Sequence, residues 1–169
     1  MPVLEQVLRW RLLAERWGAQ TGLSPSLVLA VIHQESGGKD RALRFEPVYL
    51  SSRITGNSEW ERRIREHGWD PRNVASSYGL MQLMFPTAWG YGCRAPEDLY
   101  DPERNVRYGC AHLAAMRKHA HGDTGAALAA YNGGSGAVSS YLQGLGSAPA
   151  RYARSVLALE MFYRKALGG

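Results

Sequence analysis

The sequence predicts a mostly α fold: a helical bundle around one buried central helix, with a small irregular or hairpin lobe that encloses a cleft. Three observations predict it. Residues 24–36, SPSLVLAVIHQES, are apolar on nearly every side, which is the pattern of a helix surrounded by others. Helix start and stop signals recur through most of the chain. Between residues 37 and 78 the helical periodicity gives way to Gly, Pro, Asn and charges, as expected of an inserted lobe. At 169 residues with no linker or low-complexity tract, residues 1–169 read as a single domain large enough to bury its own core.

In chain order, VLEQVLRWRLLAERWGAQTG repeats apolar residues at Leu4, Val7, Leu8, Leu12 and Trp17, predicting one amphipathic first helix. Ser24 is placed as N-cap of the central helix and Pro25 at its first position. In the lobe, EPVYLSSRI reads as strand-like, SEWERRIREHG as a helix, and a small hairpin is expected. PTAWGYG resumes the helical signal. Asp101 and Pro102 open a long helix with Val106, Cys110, Leu113 and Arg117 on one face. DTGAALAAYNGG, capped by Asp123, is a short helix ended by glycines, and SGAVSSYLQG and PARYARSVLALEMFYRKALGG complete the set.

Net charge +5 and pI near 9.4 favour an acidic polymer or surface as partner: nucleic acid, anionic lipid or bacterial cell wall. Scattered basic residues interleaved with Glu59, Glu61 and Glu66 argue against nucleic acid. No run approaches the roughly 18 apolar residues of a membrane span. No signal peptide is expected at MPVLEQVLRW, which has no basic leader before an apolar stretch. Cys93 and Cys110 have no metal-site spacing; they are either a disulfide joining two neighbouring helices or two buried free thiols. His112, His119 and His121 read as a solvent-facing cluster without an acid or cysteine to complete a metal set, so no metal or organic cofactor is expected.

Three motifs carry chemistry. Glu35 ends the apolar helix just before Gly37 and Gly38. The negative helix end opposes its ionisation by about 0.3 to 1 kcal/mol, and burial beside apolar side chains adds more. A glutamic acid kept protonated near neutrality suits general-acid cleavage of a glycosidic bond. His33, two residues away, falls on roughly the opposite helix face. In SSYGLMQLMFPTA, Gly79 allows close backbone approach to a ligand and Gln82 offers an amide suited to sugar hydroxyls, while Leu80, Met81, Leu83 and Met84 are ordinary core types. In AAYNGG, Tyr131 and Asn132 provide a ring to stack on a pyranose and an amide beside it.

Together and in this order, Glu35-Ser36, Gly79-Leu80-Met81-Gln82 with Met84, Thr87 and Ala88, and Ala130-Tyr131-Asn132-Gly133 resemble the soluble-type lytic transglycosylase family. LYDPERNVRYGCAHLAAM and the Tyr152…Val156 pair resemble two further family helices, so the likeness covers about residues 24 to 157. The resemblance implies an α+β lysozyme-like fold of the goose type. It also implies Glu35 as the single acid/base, with Gln82, Met81 and Asn132 lining sugar subsites. Tyr131 or Tyr152 would bond the carboxyl or the substrate, and Ser77 would match a serine preceding the GLMQ motif. Tyr78 fills a usually small position, Pro86 lies one position late, and the stretch from Glu35 to Gln82 is longer than in compact members. ALRFEP resembles an element of phage-related members, placing Glu46 in or near the groove or, alternatively, in a structural pair with Arg44 or Arg41.

The implied reaction is non-hydrolytic cleavage of the β-1,4 bond between N-acetylmuramic acid and N-acetylglucosamine in peptidoglycan, closing a 1,6-anhydro ring. The rivals are a hydrolytic muramidase using a second carboxylate such as Glu46 or Asp70, and a non-catalytic wall-binding or virion module. A monomer acting at the bacterial cell wall, periplasmic or extracellular, is expected, with phage-encoded release one route.

Overall fold

A computed structural model describes residues 2–168. It begins with two helices, α1 (Val3–Leu8) and α2 (Arg11–Thr21), where the periodicity predicts one. The break lies at Trp10, whose backbone turns out of helix at φ −92°, ψ 7°. Its ring Nε1 donates to Gly38 O at 2.9 Å, so tertiary anchoring overrides continuation of the helix. The re-phasing leaves Leu12, expected on the apolar face, 76% exposed, while Val7 and Ala14 are buried.

The central helix, α3 (Pro25–Ser36), starts as the sequence predicts, with Ser24 Oγ accepting from Leu27 N at 3.2 Å. Leu27 to Ile32 are all buried. Full burial of each large aliphatic side chain stabilises by about 1.5 to 3 kcal/mol. The helix lies against α1, α2 and α11 (Ala148–Ala166). Gly37 ends it at φ 60°, a left-handed position that suits glycine.

The lobe follows as β1 (Leu43–Phe45), α4 (Pro47–Tyr49), a π-helical turn over Leu50–Ile54, α5 (Ser58–His67), α6 (Pro71–Val74) and β2 (Ser76–Tyr78). The strand-like EPVYLSSRI is therefore helical. Pro47 starts the turn, the Ser52 hydroxyl donates to Val48 O at 2.6 Å, and Ile54 is buried, so packing outweighs its β-branched preference. The sheet is antiparallel in the order β1-β2-β3, with β3 at Leu83–Met84. Arg44 pairs with Ser77, and Ser77 with Met84. The expected hairpin inside 37–78 is thus replaced by a pairing that closes the whole lobe segment, plus a tight turn beyond it at Gly79–Gln82.

After β3 come α7 (Phe85–Trp89), a 3-10 turn over Pro96–Tyr100, α8 (Pro102–His119), α9 (Thr124–Gly133), α10 (Ala137–Leu142) and then α11. Pro86 still sits in the first turn of α7. Asp101 and Asp123 cap α8 and α9 through Arg104 N and Ala126 N. Val106, Cys110 and Leu113 are buried along α8, and Arg117 reaches Gly22 O at 2.9 Å.

The buried apolar residues form two clusters. One fills the helical body, with α3, α8, α9 and α11 contributing; the other gathers Ile54, Val74, Tyr78, Leu83, Phe85, Leu99 and Tyr108 with Trp60, Trp69 and Trp89 packed against them. This second core reaches well past residue 78. Cys93 belongs to it and Cys110 to the first, and both are free buried thiols. The disulfide alternative is corrected accordingly: each thiol is consumed in a different core. Among the described residues, no helix is long and apolar enough to cross a membrane.

Candidate active site

Between the body and the lobe lies a cleft of about 530 Å³. Glu35 lines it from the last turn of α3, with Ser77 and Gln82 of the sheet region, Tyr131 and Asn132 at the end of α9, and Arg44, Glu46, Tyr49 and Arg53 from the lobe. The acid and the two other motifs that the sequence singles out therefore meet at one groove.

Glu35 is held from two directions. The preceding apolar helix carries it into a partly buried position, and Tyr152 OH of α11 donates to its Oε1 at 2.6 Å. Its pKa is raised to about 7, chiefly by loss of water around the carboxylate. The Tyr152 hydrogen bond and the positive charge of Arg44 pull the other way. Ser36, the next residue, donates to Leu80 O at 2.8 Å and so fixes the helix end to the Gly79–Gln82 turn.

That turn packs against α8 and the 3-10 turn before it. Gly79 has φ 69°, and a side chain there would meet Asn105 Nδ2 at 2.5 Å and Leu99 O at 2.7 Å. Its close approach is to Asn105 of α8 and to Leu99 of the 3-10 turn, and Gly79 is not among the residues lining the cleft. Asn105, fully buried, accepts from Met81 N at 2.9 Å and donates to Tyr78 O and Leu99 O. The Met81 side chain is also fully buried, lying over Gly109, and is not among the residues lining the cleft. Its backbone carbonyl accepts from Tyr131 OH at 2.8 Å.

Gln82 stands at φ 46°, one of two non-glycine residues with positive φ among those described. Its amide donates to Ala42 O and Gly79 O and accepts from Ser77 Oγ at 3.1 Å. Both donors are occupied within the protein, so the side chain braces the cleft wall and offers a ligand only an acceptor edge. Tyr78, at the usually small position, turns into the lobe core and donates to Asn73 O at 2.7 Å. Asn132 is exposed at the rim.

Glu46 lines the cleft and accepts from Arg44 Nε at 2.5 Å, so the groove position and the Arg44 pair hold together. His33 faces away, its Nδ1 2.8 Å from Tyr163 OH. His112, expected in a solvent-facing cluster, instead lines the cleft beneath Tyr131, 3.3 Å from Tyr91 OH. Burial lowers its pKa to about 4, so it is neutral at physiological pH. His112, Asn105, Tyr49 and Arg53 escape the sequence reading. A polar stripe of Asn105, Tyr108 and His112 on one face of α8 is the signal by which two of them could have been found.

The SLT transglycosylase domain model matches residues 13–152. The chain belongs to the transglycosylase SLT domain family. Solved structures share the fold, two of them as follows. One is the 70 kDa soluble lytic transglycosylase of Escherichia coli, with a TM-score of 0.71 and 23% identity over 95% of this chain. The other is an inactive glutamate-to-glutamine mutant of lytic transglycosylase Slt from Pseudomonas aeruginosa, with a TM-score of 0.69 and 23% identity over 95% of this chain. This SLT-family chain spans about a quarter of the length of either protein, covering 24% and 25% of them.

Proposed function

We propose that this chain is a peptidoglycan lytic transglycosylase in which Glu35 is the single acid/base. One observation carries the reading: a carboxyl group raised to about 7 lines a groove and is held by a phenol at 2.6 Å. Family membership and the glutamate-to-glutamine change in the inactive Pseudomonas relative support it.

In the first half-reaction, protonated Glu35 gives its proton to the oxygen joining N-acetylmuramic acid C1 to N-acetylglucosamine, and that C1–O bond breaks. The Glu35 carboxylate then takes the proton of the muramyl 6-hydroxyl as its oxygen bonds to C1, closing the 1,6-anhydro ring. No water is consumed, and the acid is restored to its starting state. An intramolecular nucleophile has a very high effective molarity, so one carboxyl group suffices. Tyr152 steadies the carboxylate between the two proton transfers. Tyr131, Asn132, Ser77 and Gln82 shape the wall against which the sugar rings lie. On this reading residues 1–169 act as one wall-cleaving domain, at the bacterial cell wall.

Glu46 favours one second reading, because it is a further carboxylate on the same groove. A hydrolytic muramidase would use it to orient water. Digestion of purified peptidoglycan with mass analysis of the ends separates the two: anhydro-muramyl ends weigh one water less than reducing ends. Exclusively reducing ends would overturn the transglycosylase reading, and an intact polymer would overturn the enzyme reading altogether.

A further inference from the structure

The lobe wall of the cleft carries two guanidinium groups, Arg44 and Arg53. The glycan chain that the groove is proposed to hold has no charge on its sugar rings. Its nearest carboxylates hang from the lactyl group of each muramyl residue, either as that group's own carboxyl or on the peptide attached to it. We propose that Arg53 forms a carboxylate-binding subsite that selects strands by the charge on their lactyl substituents.

Three observations converge. The charges on this wall do not cancel: Arg44 is matched by Glu46, whereas none of the ion pairs among the described residues engages Arg53. When Glu35 is protonated, as its role as acid requires and its pKa of about 7 allows, the groove side of the lobe keeps one uncompensated positive charge. Arg53 also rises from a braced segment. The π-helical turn is closed by Thr55 N donating to Leu50 O at 2.9 Å, and the neighbouring Ile54 is buried. An exposed planar guanidinium on such a base is suited to bidentate capture of a carboxylate.

The inference rests on the proposed cleavage of peptidoglycan, and its test keeps the two apart. Peptidoglycan freed of teichoic acid is used in three forms: intact, with its carboxyl groups converted to amides, and stripped of peptides by an amidase that leaves the lactyl carboxylate free. The quantity read is the ratio of kcat/KM for intact over carboxyl-amidated strands. The unmodified chain should prefer intact strands, and Arg53→Gln should lower that ratio roughly three- to tenfold, the scale of one exposed charge-assisted contact. Arg53→Lys should retain part of the preference. Arg11→Gln, which changes net charge equally on α2, should keep the ratio. Added salt should shrink it. Thermal melting of each variant shows that it is folded.

Stripped strands assign the source. Cleavage at the intact rate with the same Arg53 dependence places the carboxylate on the lactyl group, and loss of that dependence places it on the peptide. Equal cleavage of intact and amidated strands by the unmodified chain, or an unchanged ratio in Arg53→Gln, overturns the subsite. Absence of cleavage in every arm overturns the enzymatic reading instead.

Discussion

Tyr152 OH and Glu35 Oε1, 117 residues apart in sequence, are 2.6 Å apart in the fold. The bond joins α11 to the end of α3 at the one point where α3 exposes an acid to the cleft. It favours the charged form of Glu35, whereas burial favours the neutral one, and burial dominates. Tyr152→Phe removes the counterweight, so the alkaline limb of the pH–rate profile should move upward. The turnover should fall about 10- to 100-fold, because a charge-assisted bond of about 1.5 to 3 kcal/mol is lost when the carboxylate forms. A profile that does not move would show that the phenol is only packing there.

Glu35→Gln keeps the shape and the acceptor for Tyr152 but has no proton to give. Release of soluble fragments from cell-wall suspensions should drop about 100- to 10,000-fold. In the unmodified chain activity should decline as pH rises through about 7, where the acid loses its proton.

The same substitution should stabilise the fold in alkaline solution. The folded-state pKa of about 7 stands above the model-peptide value of 4.5, so the folded protein holds this proton more tightly than the unfolded chain does. Stability from this group is complete below about 4.5 and is lost as pH rises towards 7. Chemical denaturation at pH 8 should therefore find Glu35→Gln more stable than the parent by up to about 3 kcal/mol. Near pH 4 the two should agree.

Asn105→Ala should be far more damaging than an ordinary helix substitution. It strips partners from Met81 N and Tyr78 O, at the turn that supports Gln82 and Tyr131, and from Leu99 O of the 3-10 turn before α8. We expect a loss of about 2 to 4 kcal/mol in denaturant unfolding. Activity measured at low temperature should fall as well, since the turn also anchors the Ser36 end of α3.

The helices and their caps were legible because Ser24, Asp101 and Asp123 act through local hydrogen bonds that the sequence displays directly. Glu35 was legible for a related reason: an apolar run that stops on an acid states both the position and the desolvation. What the sequence did not show depends on partners distant along the chain. Nothing near Trp10 announces Gly38, and nothing in GLMQ says that Asn105 will claim Gly79 and Met81. Arg53 was hidden because a π-helical turn shifts the register by a residue, and no periodicity in SSRI indicates which way its side chain leaves the backbone.

The pairing of β1 with β2 brings the two ends of the lobe together as a clasp does. Everything between Phe45 and Ser76 is therefore a closed excursion that leaves and rejoins the sheet at neighbouring points. If Glu35 and Arg53 act as proposed, such a layout separates the part of the molecule that breaks a bond from the part that chooses which strand to admit. On that reading a different lobe joined at the same two strands would change which strands are admitted while the acid stays where it is.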